Sequence, residues 1–184
     1  MVSALILIFA FVAIALGSSA IRVAAAEPSE VRPSPGVSPG PQTKNGYLLL
    51  GFDVLASFPF TPPALDNLAE KGSASLRAEE QIPAAVRAWH GRKAVVTGYM
   101  LPVKSEGDRV TELLLTRHTI AAGNVNDPTM NEWVIVRIRS GVPPRTLLPV
   151  SFFGVFKVGA VFENGYMVAI YEFEAERMSE SPGH

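Results

Sequence analysis

The stretch that decides the fold is PVSFFGVFKVGAVFENGYMVAIYEFEAE, residues 149–176. Asn164-Gly165 divides it, and these two residue types tolerate the positive φ that a type I′ hairpin turn requires. Upstream, Pro149 to Val158 sets Val150, Phe152, Phe156 and Val158 on one face, with Gly154 at the centre. Downstream, Tyr166 to Glu176 aligns Met167, Ala169, Tyr171, Phe173 and Ala175 against Glu172, Glu174 and Glu176. A period of two on both sides of such a turn is the pattern of paired strands with one buried face. The three glutamates read as a solvated strand face rather than as a general-acid pair.

Three further strands precede this hairpin. Lys93 to Val103 carries Val95, Thr97, Tyr99, Leu101 and Val103 on one face and Ala94, Val96 and Met100 on the other, with Gly98 in the middle. A glycine inside a strand marks a bend or a bulge, and the same holds for Gly154. Glu106-Gly107-Asp108 turns the chain into Val110 to Thr116, which completes a second hairpin. Beyond a long loop, Glu132 to Arg139 points Val134, Val136 and Ile138 inward and Arg137 and Arg139 outward, so one side faces water. Five strands, two of them with central glycines, predict a mainly β fold. Closure into a small OB-like antiparallel five-stranded barrel removes the aggregating edges of an open sheet. A small open sandwich is the alternative.

The segments before the barrel are less regular. Tyr47 to Val54 (YLLLGFDV) lies between Gly46 and the Pro59, Pro62 and Pro63 cluster and reads as a short strand. Pro63 to Gly72 reads as a single helical turn around Leu65 and Leu68, and residues 72–81 as a polar connection. Pro83 opens a short helix that Gly91 stops, with Val86 and Trp89 on one face as a plug for one end of the barrel. The domain therefore spans 47–178 with one or two short helices, followed by a tail at 179–184.

The N-terminus carries an address. Ala4 to Gly17 holds no charge and is followed by Ser18-Ser19-Ala20 and Ala24-Ala25-Ala26, the layout of a secretory signal with small-residue cleavage sites. The α-amino group of Met1 is the only positive charge ahead of it. If retained, Ala4 to Ile21 is about 18 residues, enough to span a bilayer of roughly 30 Å as an anchor. Residues 1–26 are thus a signal peptide or an N-terminal anchor, with membrane attachment through 4–21 in the second case. Both place the domain in the periplasm, free or held on the inner membrane. Residues 27–46, with prolines at 28, 33, 35, 39 and 41, form a linker that cannot bury enough surface to repay its ordering entropy. At about 3.1 Å per residue it reaches roughly 60 Å.

Composition removes several functions. With 16 Lys+Arg against 17 Asp+Glu and no basic cluster, there is no electrostatic footprint for a nucleic-acid partner. The chain has no cysteine, which excludes disulfides, thiolate metal sites and a Cys nucleophile. It contains no nucleophile elbow, P-loop, dinucleotide fingerprint, zincin motif or calcium loop. No catalytic set, metal site or cofactor is expected. His90, beside Gly91, reads as a cap on the last carbonyls of its helix. The remaining candidates lie on the loop His118 to Asn131 and its return to the sheet: His118, Asn124, Asp127, Asn131, Glu132 and Trp133. A loop of this length is more often functional than a short one, and a Trp beside an Asn and a Glu suits ligand or partner binding. A core Trp after a polar turn is the plainer reading of the same residues.

Several motifs also carry a resemblance. FDVLASF (52–58), IPAAVRA (82–88), GYMLP (98–102), TELLL (111–115) and MNEWV (130–134) occur in an order similar to that of an exported bacterial domain family of unknown function, common in planctomycetes. The resemblance covers about 47–178 and implies export and an OB-like core, with no established activity. Many relatives carry a Cys-Cys-aromatic-Gly segment in the loop before the Asn-Glu-Trp motif. That pair falls near Ala122 and Gly123 here, so any thiol chemistry of those relatives is not carried over.

The reading these observations favour is an exported, non-enzymatic module of the cell envelope that binds an envelope protein or a small ligand at the loop-bearing rim. The alternative is a metal- or ligand-dependent periplasmic enzyme or chaperone that uses His118, Asp127, Asn131 and Glu132. A structural envelope protein held by its N-terminal helix is a third.

Overall fold

The computed structural model describes residues 40–63, 71–119 and 129–180. In chain order these form β1 (Thr43–Lys44), β2 (Tyr47–Leu50), α1 (Phe52–Leu55), α2 (Lys71–Gln81), α3 (Ala84–Arg87), β3 (Arg92–Glu106), β4 (Arg109–Thr116), a 3-10 turn (Met130–Glu132), β5 (Trp133–Val142), β6 (Pro149–Glu163) and β7 (Tyr166–Ser179). The signal or anchor run, most of the linker and most of the expected turn at 63–72 lie outside the described residues. Among those residues, no helix is long and apolar enough to cross a membrane.

The fold is mainly β, and its strands run β1-β2-β3-β4-β5-β7-β6, with β6 returning to pair with β3. Five strands therefore close into a ring: β3, β4, β5, β7, β6 and back to β3. This is the closure expected of an OB-like chain, and it excludes an open sandwich. One expectation fails for a reason of parity. Strand direction cannot alternate all the way round a ring with an odd number of members, so at least one neighbouring pair must be parallel. That pair is β5 with β7, in register over Ile135↔Glu172, Val136↔Phe173 and Arg137↔Glu174. It is the shortest pairing in the ring. Outside the ring, β2 also runs parallel to β3.

The hairpin that decides the fold has the turn its sequence demands, with φ of 49° at Asn164 and 87° at Gly165. Gly154 marks a bulge: Phe153 faces Arg177 while Gly154 faces Ala175, leaving Glu176 as the extra residue. A Cβ at Gly154 would lie 2.0 Å from the Glu174 carbonyl oxygen. Gly98, by contrast, sits in an unbroken register and marks a close approach, since a Cβ there would meet the Phe52 ring at 2.8 Å.

The inward faces are those the alternation assigns. Val134, Val136 and Ile138 are buried, as are Val150, Phe152 and Phe156, and Met167, Ala169, Tyr171 and Phe173. Side chains fill the ring, with Phe156 5.2 Å from Tyr171 and 6.3 Å from Phe173 between ring centres. The Tyr171 hydroxyl donates to the Leu55 carbonyl at 3.0 Å, tying α1 to the ring, and burial pushes its pKa up. Val86 and Trp89 enter the core as expected.

Two segments differ from their sequence reading. The strand expected over 47–54 stops at Leu50, and a helical turn follows because Phe52 and Leu55, three apart, both point into the core. Residues 72–81 are not a polar connection but most of α2. Its buried stripe is Ala74 and Ala78 with Ile82 just beyond, spaced by four. Alanines bury a helix face without making the sequence look apolar. The Gln81 amide then clamps Thr61, accepting from its N–H at 3.0 Å and donating to its carbonyl at 2.9 Å.

Candidate functional site

The Met130-Asn131-Glu132-Trp133 motif forms the 3-10 turn and the first residue of β5, at the rim of the ring. Asn131 is 2% exposed. Its Nδ2 donates to the Phe58 carbonyl at 2.6 Å, and its Oδ1 accepts from the Thr129 hydroxyl at 2.6 Å. Glu132 completes a capping box by accepting from the Thr129 N–H at 3.1 Å, and it also pairs with Arg117 at 3.5 Å. The Trp133 indole N–H donates to the Val168 carbonyl on β7 at 3.0 Å. The polar groups of all three thus have partners within the fold. Trp133 in particular stitches β5 to β7 ahead of their short parallel pairing.

Of the other candidates, His118 is exposed, and its carbonyl accepts from the Thr116 hydroxyl at 2.8 Å. Asn124 and Asp127 lie outside the described residues. The structure therefore joins Asn131, Glu132 and Trp133 at one rim. Among the described residues, no group of three or more His, Asp or Glu side chains is arranged to hold a metal ion. His90 does not cap its helix. Its Nδ1 instead faces the backbone of Val158 on β6, 2.9 Å from the carbonyl oxygen and 3.2 Å from the nitrogen.

The arrangement that sequence reasoning missed is on the outward face of β4, β5 and β7. Arg137 donates to Glu112 at 3.0 Å, to Glu163 at 2.9 Å and to Glu172. Glu112 also accepts from Lys104 at 3.1 Å, and Lys157 pairs with Glu174. Glu163 ends β6 beside the turn and reaches Arg137 on β5. Burial works against the charge on Glu112, but the hydrogen bonds from Lys104 and Arg137 outweigh it and hold its carboxyl below the ordinary range. Burial likewise opposes the charge on Arg137, and the bonds to Glu112 and Glu172 overcome it, raising its pKa. The hydrogen bond from Lys157 lowers that of Glu174. The outward alternation of Arg137 and Glu172 was readable in sequence. Which strands they join was not.

Beside this network lies a cleft of about 590 Å3 that spans the end of the β5–β7 pairing, lined by Arg137, Arg139 and Ser140 of β5 on one bank, Glu172 to Glu176 of β7 on the other, and Val155 and Lys157 of β6 beyond β7. Ordinary substrate pockets are of this size, but this one is an open surface feature with charges of both signs.

A crystal structure of a DUF3299 family protein from Pseudomonas aeruginosa PAO1 is 26% identical, with a TM-score of 0.48 over 71% of this chain and 93% of that one. No curated protein matches the sequence. The family profile of DUF3299, a protein of unknown function, matches residues 60–180, two strands of the ring's first hairpin through the end of β7 included. The chain belongs to the DUF3299 family.

Proposed function

We propose that this protein is an exported, non-enzymatic binding module of the bacterial cell envelope, and that its partner sits on the outward face of the ring at the seam between β5 and β7. The observation that carries this reading is the open cleft at that seam, flanked by exposed charges on both banks. Within the ring, Phe152, Phe156, Tyr171 and Phe173 are fully buried, which favours a surface site over an interior one. The rim motif expected to bind contributes by position: Trp133 and Glu132 hold the start of β5, which forms one bank of the cleft. Export rests on the uncharged run at 4–17 and the alanines at 24–26.

The test is native mass spectrometry and elemental analysis of the full chain purified from its own envelope, with Arg139→Ala and Glu176→Ala alongside. A bound protein or organic molecule that is lost from either variant while the fold persists supports the proposal. A stoichiometric metal retained by both variants would overturn it in favour of metal-dependent chemistry at the 118–133 loop.

A further inference from the structure

The geometry of the seam points to the kind of partner it takes. We propose that an extended polypeptide segment adds as a strand to the edge of β7 at residues 175–178; this rests on the seam being the binding surface. The parallel pairing with β5 ends at Arg137↔Glu174. Beyond it, Ala175, Arg177 and Met178 are in register with Gly154, Phe153 and Phe152 of β6 on their other side. On the opposite bank β5 turns away. Its register with β4 slips between Arg137 and Val142, and Arg109 takes the carbonyls of Ser140 and Gly141 at 3.0 and 2.6 Å. Past Glu174, β7 has no partner in register on its β5 side, and Ala175 and Glu176 at the start of this free flank line the cleft. A strand edge presents N–H and C=O groups at the strand repeat, and the chemistry that matches such a row is another main chain.

Charge narrows the occupant further. Of the charged side chains lining the cleft, Arg137 and Glu172 are joined to each other, and Lys157 to Glu174. Arg139 and Glu176 form no salt bridge among the described residues, and both are exposed, one on each bank. A segment lying between them meets one positive and one negative charge. Its outward side chains, two residues apart, complement them when one is acidic toward Arg139 and the other basic toward Glu176. The bulge at Glu176 and the glutamates around it disfavour pairing with an uncharged edge, and like charges disfavour pairing with the same edge of a second copy.

A display library of random eight-residue peptides, panned on the full chain, provides the probe. The expected result is enrichment of sequences with an acid and a base two apart, protection of the amides at 175–178 from exchange on binding, and affinity reduced about tenfold by Glu176→Lys. N-methylation of alternate peptide amides, which leaves the side chains intact, should also abolish binding. Peptides that bind equally well when N-methylated, or that protect amides elsewhere, overturn strand addition. Failure to enrich any peptide also overturns it. In that case, a non-peptide molecule carried by the envelope-purified protein and lost with Arg139→Ala leaves the seam reading standing, whereas a bare chain sinks both.

Discussion

Asn131 separates a structural from a functional reading of the rim, because the two predict different outcomes for one substitution. In Asn131→Ala, the Phe58 carbonyl loses its donor and the Thr129 hydroxyl its acceptor, both at 2.6 Å, in a site where Asn131 itself is 2% exposed. Two hydrogen bonds contribute about 1 kcal/mol each, and leaving the Phe58 carbonyl without a partner adds about 1–3 kcal/mol if water does not reach it. The expected loss is about 2–5 kcal/mol, a large part of the stability of an ordinary domain. With a urea m-value of about 2 kcal/mol/M, the midpoint should fall by roughly 1–2.5 M. Urea melts followed by the fluorescence of Trp89 and Trp133 report it. Asn131→Asp keeps the acceptor but removes the donor and buries a charge, so it should cost more than Asn131→Ala at neutral pH. A loss below about 0.5 kcal/mol for Asn131→Ala would refute the reasoning, placing this side chain at the rim for a ligand rather than for the fold.

Other substitutions test the ring. Gly154→Ala places a Cβ 2.0 Å from the Glu174 carbonyl oxygen, so it should destabilise by about 3 kcal/mol or more, or shift the β6–β7 register, as amide exchange across 152–178 would show. Gly72→Ala, in α2 with nothing within 4 Å of the added carbon, should instead raise stability by about 0.5–1 kcal/mol in the same melts. Trp133→Phe removes the indole stitch to Val168 and should cost about 1–2 kcal/mol, with the earliest amide opening at the β5–β7 seam. Glu112 carries a pH signature. Its native pKa is lowered, so its contribution is present at neutral pH and is lost as pH falls from the ordinary value of 4.5 through the lowered one. Glu112→Gln should flatten that part of the acid limb in melts across pH 2–7, and an unchanged limb would show that Arg137 and Lys104 contribute nothing there.

What the sequence by itself determined is local. Which residues of β5, β6 and β7 face inward followed from a period of two, and the turns at Gly107 and Asn164-Gly165 followed from backbone freedom at those positions. Both signals survive because they depend on neighbours in the chain. Helix α2 was hidden because its buried stripe is built of alanines, whose burial depends on the β6 surface beneath them rather than on their own hydrophobicity. The site was legible only as a list. Asn131, Glu132 and Trp133 stood out as a motif, and Thr129 is local to it, but their other partners, Phe58, Arg117 and Val168, are distant in sequence and gave no sign of the connection. The same holds for Arg137, whose carboxylates come from three different strands. Tertiary structure alone decided that β7 enters the ring beside β5 in parallel, since closing an odd number of strands forces one such pair. That short pair, and the cleft beyond it, exist because β5 and β7 run the same way without a shared turn to hold their ends together.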